Sequence, residues 1–265
     1  MKIYISADIE GTTGITHWDE TEKSKSDYAE FQKQMTAEVV AACEGALKAG
    51  ATEIIVRDAH HTGRNIIASK LPEEARLIRE WSGHPYSMMQ GLDDSFDAVI
   101  MTGYHSRAGS DTNPLAHTFT GAAAFVRINE RYASEFLINA YTAALVGVPV
   151  VMVTGDSGLC KEVAELNPEI PTVAVNEGVG ASTISIHPNL AVRKMKEGVE
   201  NILRKDFSKC RIDLPEHFEI EIVYKDYKKA YRASFYPGAS LLEPQLIQFV
   251  SDDYFEVLRM FMFTM

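Results

Sequence analysis

The stretch ISADIEG, residues 5–11, begins as an apolar strand and then sets two acids, Asp8 and Glu10, where a buried strand would stay apolar. Strand side chains alternate between faces, so Ile3, Ile5, Ala7 and Ile9 fall on one side and Tyr4, Ser6, Asp8 and Glu10 on the other. If the strand continues to residue 10, both carboxylates point the same way with Cα atoms about 7 Å apart. Two like charges at about 4 Å repel by about 4 kcal/mol at an effective dielectric near ~20. Such a pair calls for a cation, a proton or water, or else marks an exposed strand end.

Three later apolar runs finish in the same manner. EIIVRDAH ends in Asp58 and His60, DAVIMTGYH in His105, and VPVVMVTGD in Asp156. Taken singly, His60 and His105 read as loop histidines and Asp156 as a helix N-cap. Taken together they mark one edge, because parallel strands end on the same side of an open sheet and ligands bind there. Glu135 falls in the first turn of the helical segment SEFLINAYTAALVG, where a glutamate complements the helix dipole, and Asn139 lies one turn further on the same face. His117 sits in the loop SDTNPLAHTFTG with no periodic environment, and His61 is expected to point away from His60 as a surface residue. If Asp8, Glu10, His60, His105 and Glu135 converge, their three negative charges suit two divalent ions and one hydroxide. That is the charge count of a two-metal hydrolytic centre with Asp8 as the bridge. Imidazole with carboxylate and no cysteine favours Zn2+, with Mn2+ and Fe2+ behind it.

The elements that must position these groups alternate. A strand at 2–8 precedes an amphipathic helix whose Phe31, Met35, Val39, Ala42, Cys43, Ala46 and Leu47 recur at helical intervals and which stops at Gly50. Strands and helices then follow in turn, with GAAAFVRIN among the strands and a helix near 188–205. Continuous Ile/Val/Met runs in this order predict an α/β fold, a mostly parallel sheet covered by helices on both faces. The composition shifts near CRIDLPEHFEIEIVYKD, which divides the chain into a catalytic α/β domain at 1–211 and a smaller C-terminal α+β part at 212–265.

A chain of 265 residues that is 46% hydrophobic is expected to be globular. Its net charge of -11 repels phosphate backbones and anionic lipid, so nucleic acid and membrane are not expected partners. Cys43, Cys160 and Cys210 are odd in number and widely spaced, which suggests neither a disulfide framework nor a cysteine metal site. Asp8 interrupts the first apolar stretch too early for a signal sequence, and no apolar run approaches the roughly 18 residues of a membrane span. A cytoplasmic location is expected.

The motifs SADIEG, RDAHH, GYHSRAG, LAHTFTG and INERYASEFLINAY, in this order and spacing, resemble the zinc-dependent D-aminopeptidase family associated with bacterial dipeptide-transport operons. The likeness is specific over about residues 1–158 and elsewhere is confined to length and element order. It implies that Asp8, Glu10, His60, His105 and Glu135 ligate two zinc ions and that His117 is the catalytic histidine, whether as base, acid, nucleophile or oxyanion stabiliser. It also implies release of an N-terminal D-amino acid from short peptides by a homodecamer of two stacked five-membered rings. Asp156 and Asn139 are candidates to orient the ligands or the substrate ammonium. Two other readings compete. One is a two-metal phosphoesterase, opposed by the acidic balance, the absence of a Gly-rich phosphate loop, and the presence of only Arg64 and Arg107 near the motifs. The other is a non-catalytic oligomer that binds metal or peptide.

Overall fold

In the computed structural model, which describes residues 1–265, the chain first forms β1 (Lys2–Ala7), α1 (Tyr28–Lys48), β2 (Glu53–Asp58), β3 (Ala75–Ile78), β4 (Ala98–Tyr104), β5 (Ala123–Ile128), β6 (Arg131–Tyr132) and α2 (Glu135–Leu145). There follow β7 (Val150–Asp156), α3 (Ser157–Leu166), β8 (Thr172–Val179), β9 (Ser182–Ser185), α4 (Pro188–Leu203), β10 (Phe218–Tyr224), α5 (Tyr227–Ala233), β11 (Ala239–Glu243), β12 (Leu246–Ser251) and α6 (Tyr254–Thr264).

The continuous aliphatic runs build the first sheet, in the order β3-β2-β1-β4-β7-β8-β9. All its strands are parallel except β9, which pairs antiparallel at the edge. Every residue of β4 and β7 is buried, as a strand covered on both faces requires. The chain steps from β1 through α1 to β2 in one direction and from β7 through α3 to β8 in the other. Right-handed crossovers therefore set α1 and α3 on opposite faces. The expected α/β arrangement is present, and α4 packs on α1 where Gly45 admits the backbone of Lys196. Strand order reverses between β1 and β4, which opens a crevice beyond their carboxyl ends.

The second sheet is antiparallel, in the order β11-β12-β10-β5-β6. Residues from 212 onward supply three of its strands, and residues 123–132 supply the other two. GAAAFVRIN thus leaves the parallel sheet with which it was grouped. Val126 and Ile128 are buried while Phe125 and Arg127 are half-exposed, so β5 has one apolar face and suits an antiparallel sheet. Helix α2 joins the two layers. Its Phe136, Ala140 and Ala143 enter the first core, while Leu137, Ile138 and Tyr141 enter the second. The Tyr254 hydroxyl donates to the Ile138 carbonyl at 2.8 Å and ties α6 to it. A helix apolar all round is a buried one, and α2 is the rigid carrier of Glu135 and Asn139.

The two opening acids converge by a route that strand alternation does not describe. β1 stops at Ala7, and Glu10 is reached by a turn. Within that turn the Ile9 N–H donates to Asp8 Oδ1 at 2.9 Å and the Gly11 N–H to the Gly103 carbonyl at 2.9 Å. Glu38 accepts the Thr13 N–H, while Asn176 accepts the Gly14 N–H and donates to the Thr12 carbonyl. A Cβ on Gly11 would lie 1.7 Å from the Tyr104 carbonyl oxygen, so the turn closes on β4 only without a side chain. Gly11→Ala is expected to cost about 1–3 kcal/mol in urea unfolding, as overpacking does, and to abolish metal uptake by displacing Glu10. Wild-type metal content in that variant would contradict this account of the turn.

Candidate metal centre

Asp8 follows β1, His60 follows β2 and His105 follows β4, so three neighbouring strand ends present their polar residues at the crevice. The turn after Asp8 adds Glu10. Glu135 arrives as the first residue of α2, whose Ser134 N-cap accepts the Leu137 N–H at 3.1 Å. His117 comes from the loop before β5, and the structure brings it into the same cluster.

The histidines are oriented by the backbone. His60 donates from Nε2 to the Thr21 carbonyl at 2.9 Å, His105 from Nδ1 to the Ser106 carbonyl at 2.9 Å, and His117 from Nδ1 to the Leu115 carbonyl at 2.8 Å. A carbonyl only accepts, so each ring carries its proton there and turns its other nitrogen, with a lone pair, to the cluster. His60 Nδ1 lies 3.0 Å from Glu10 Oε2 and 3.3 Å from Asp8 Oδ1. His105 Nε2 lies 3.5 Å from Asp8 Oδ2 and 3.6 Å from Glu135 Oε1. His117 Nε2 lies 3.6 Å from Glu135 Oε1 and 3.9 Å from Glu10 Oε1, and its ring stacks on His105 at 4.3 Å.

Lone-pair atoms at these distances repel unless a proton or a cation lies between them. Glu10 Oε2 and His105 Nε2 are buried without any hydrogen-bond partner, as atoms reserved for a cation would be. Ligand distances of about 2.0–2.2 Å in a tetrahedral shell set neighbouring donor atoms about 3.3 Å apart, which the cluster matches. Two groups, Asp8 with Glu10 and His60, and Asp8 with His105 and Glu135, share Asp8. Each Asp8 oxygen faces a different histidine. A third group, Glu10 with His105 and His117, overlaps both.

A sequence profile described as D-aminopeptidase matches residues 1–263. The chain belongs to the D-aminopeptidase family. It is 32% identical to the D-aminopeptidase of Bacillus subtilis (strain 168) over 260 residues, covering 97% of this chain and 93% of that one. The structure is similar to that of the Zn-dependent D-aminopeptidase DppA from Bacillus subtilis, a self-compartmentalizing protease. The TM-score is 0.92 at 30% identity, covering 100% of this chain and 96% of that chain. The family likeness thus runs well past residue 158.

In this D-aminopeptidase-family chain, α6 lends Leu258, Phe261 and Met262 to the wall of a cavity of about 440 Å³ above the cluster. Trp18, Trp81 and Met88 line it as well, and no lysine or arginine does. His61 is exposed as expected, yet it lines the same cavity rather than facing away from it. Asp156 is both things the sequence allows. Its Oδ1 caps α3 by accepting from Gly158 and Leu159, while Oδ2 accepts from the Ser106 N–H at 2.7 Å and from Asn113. Through Ser106 it steadies the carbonyl that orients His105. Asn139 lies beside the cavity, bonded to Tyr104. The orienting carbonyls of Thr21, Ser106 and Leu115 carry no sequence signal, whereas the apolar spacing of DYFEVLRMFMFTM marks a packed face on α6.

Without a cation the cluster holds protons. Burial, with Glu10 adding to it, pushes Asp8 well above the usual carboxylate range. Burial works to raise Glu10, but His60, His117 and His105 outweigh it and hold that carboxyl well below its ordinary value. Burial would lower His60 and His105, and the facing carboxylates outweigh it, so both rings are raised well above 6.5. His117 is lowered by burial and by its stacked partner His105. A group whose folded pKa is raised stabilises fully below its unfolded value and loses that contribution as pH rises through the folded value. The chelator-treated chain is therefore expected to lose urea stability as pH rises above about 6.5, whereas metal-loaded protein, whose cations replace those protons, does not. A flat or rising midpoint in the chelated chain over that window would contradict the assignment.

Proposed function

We propose that this protein is a binuclear zinc aminopeptidase that releases the N-terminal residue, of D configuration, from short peptides. The observation that carries the reading is Asp8 set between two histidine-carboxylate groups. Asp8, Glu10 and His60 would hold one zinc ion, and Asp8, His105 and Glu135 would hold the other. The Zn-dependence of the Bacillus subtilis structure supports the choice of metal. When bound, the pair supplies Lewis acidity to the scissile carbonyl and lowers the pKa of water toward neutrality.

The chain's own groups do the rest. His117 Nδ1–H is held by Leu115, which keeps Nε2 free to take a proton at the cavity floor and return it to the departing amine. Trp18 stands edge-on to the His117 ring, with ring centroids 5.2 Å apart, on the cavity wall. A cavity of about 440 Å³ with aromatic, methionine and leucine walls suits one or two small residues of a peptide. The lack of any lysine or arginine there leaves a phosphate ester no side-chain cation to bind its oxygens, which favours the peptide reading.

We further propose a homo-oligomer, a ring-shaped decamer in the family's manner. Exposed Tyr227, Tyr231, Phe235, Leu242 and Phe263 on the second layer supply apolar surface for it. No helix is long and apolar enough to cross a membrane. The three cysteines are free and buried, which fits a cytoplasmic protein.

Two zinc ions per chain are expected by metal analysis, with hydrolysis of D-alanyl p-nitroanilide faster than its L isomer and no release from p-nitrophenyl phosphate. Asp8→Ala is expected to lose both metal and activity, and retention of both would sink the proposal. His117→Ala is expected to keep its zinc while kcat falls by about 10²–10⁴. Intact activity with intact zinc would remove His117 from the chemistry.

A further inference from the structure

One polar group on the cavity wall has its direction dictated by a chain of hydrogen bonds. Ser6 Oγ donates to the Met88 carbonyl at 2.9 Å. A hydroxyl has one proton, so in the 2.7 Å contact between Ser6 and Tyr104 it is Tyr104 that donates. The Tyr104 oxygen then accepts from Asn139 Nδ2 at 3.0 Å, and the same amide nitrogen points at Met88 Sδ at 3.3 Å. Flipped over, the amide would set its oxygen against Tyr104 and Met88, neither of which has a proton left to give. The nitrogen end is fixed inward, and Asn139 Oδ1 makes no hydrogen bond within the chain.

Asn139 is 1% exposed, so that carbonyl has only the cavity to bond to. Glu22, the one acid lining the cavity outside the cluster, is partly exposed and keeps contact with water. Asn139 lies one turn beyond Glu135, which puts their Cα atoms about 6 Å apart along α2. One extended residue of about 3.5 Å together with a hydrogen bond of about 2.9 Å at its amino end covers that distance. With its carbonyl among Asp8, Glu135 and His117, its α-nitrogen is carried toward Asn139, and no lysine or arginine is present to repel a cation there. A neutral amide accepts from an ammonium without competing for the metals, as a further carboxylate would.

We propose that Asn139 Oδ1 accepts a hydrogen bond from the free α-amino group of the residue to be released. The assignment rests on the aminopeptidase reading. Tyr104 and Ser6 are positioning residues that set the amide's direction.

The test compares two metal-binding ligands that differ only in the amino group, D-alanine hydroxamate and propanohydroxamate, titrated calorimetrically into the zinc-loaded full chain. Asn139→Leu is expected to weaken the amino ligand by about tenfold to a hundredfold, the worth of a hydrogen bond to a charged group, and to leave propanohydroxamate unchanged. Tyr104→Phe, which removes the anchor of the amide nitrogen, is expected to weaken the amino ligand selectively by a smaller factor, and it carries the comparison alone if the Asn139 variant does not fold. Equal weakening of both ligands, or no change in either, overturns the assignment. Failure of the wild-type chain to hydrolyse any peptide overturns the aminopeptidase reading instead, and the hydroxamate comparison needs no turnover.

Discussion

Three carboxylates and three imidazole lone pairs, nearly all buried, face one another across about 3–4 Å of low-dielectric space, and no arrangement of the chain alone satisfies them. Positive charge must enter the cluster, and the surroundings are built to receive it. The strand order reverses at the point where Asp8 and His105 emerge, so the cluster occupies the crevice that the sheet leaves open. Backbone carbonyls take the outward proton of each histidine and leave the inward nitrogen bare.

Rigidity comes from sharing. The turn from Asp8 to Gly14 is held at its middle by β4, by Glu38 from α1 and by Asn176 from β8, so three elements fix where Glu10 stands. Helix α2 is wedged between two cores, which fixes Glu135 and Asn139 relative to the strand ends. The Asp156 carboxylate accepts hydrogen bonds from both α3 and the loop after His105. Glu10, His105 and Glu135 are therefore each located by contacts with more than one element.

Much of this is legible in the residues. Strand ends carrying Asp8, His60, His105 and Asp156 follow from parallel topology, and α2 with Glu135 and Asn139 on one face follows from helical periodicity. The motif likeness supplies His117, whose loop has no period to read. Three features escape for physical reasons. β5 is short and rich in alanine, so its one-sided burial is hard to tell from a covered strand, and its partner β10 lies far along the chain. The Asp8–Glu10 turn depends on Gly11 meeting the backbone of β4, a long-range contact that a local pattern does not encode. The cavity wall contributed by α6 depends on how the second layer docks, which composition near residue 212 does not reveal.

The pairing of β5 with β10 joins Ile128 to Ile220 across a long intervening stretch of chain. Contacts so distant in sequence close slowly, because loop entropy is lost before the pairing repays it. The parallel strands that end at Asp8, His60 and His105 lie within the first part of the chain and pair through shorter connections. The groups at the strand ends and the α6 wall of the cavity above them thus come from opposite ends of the chain, and the cavity is complete only when both sheets are formed.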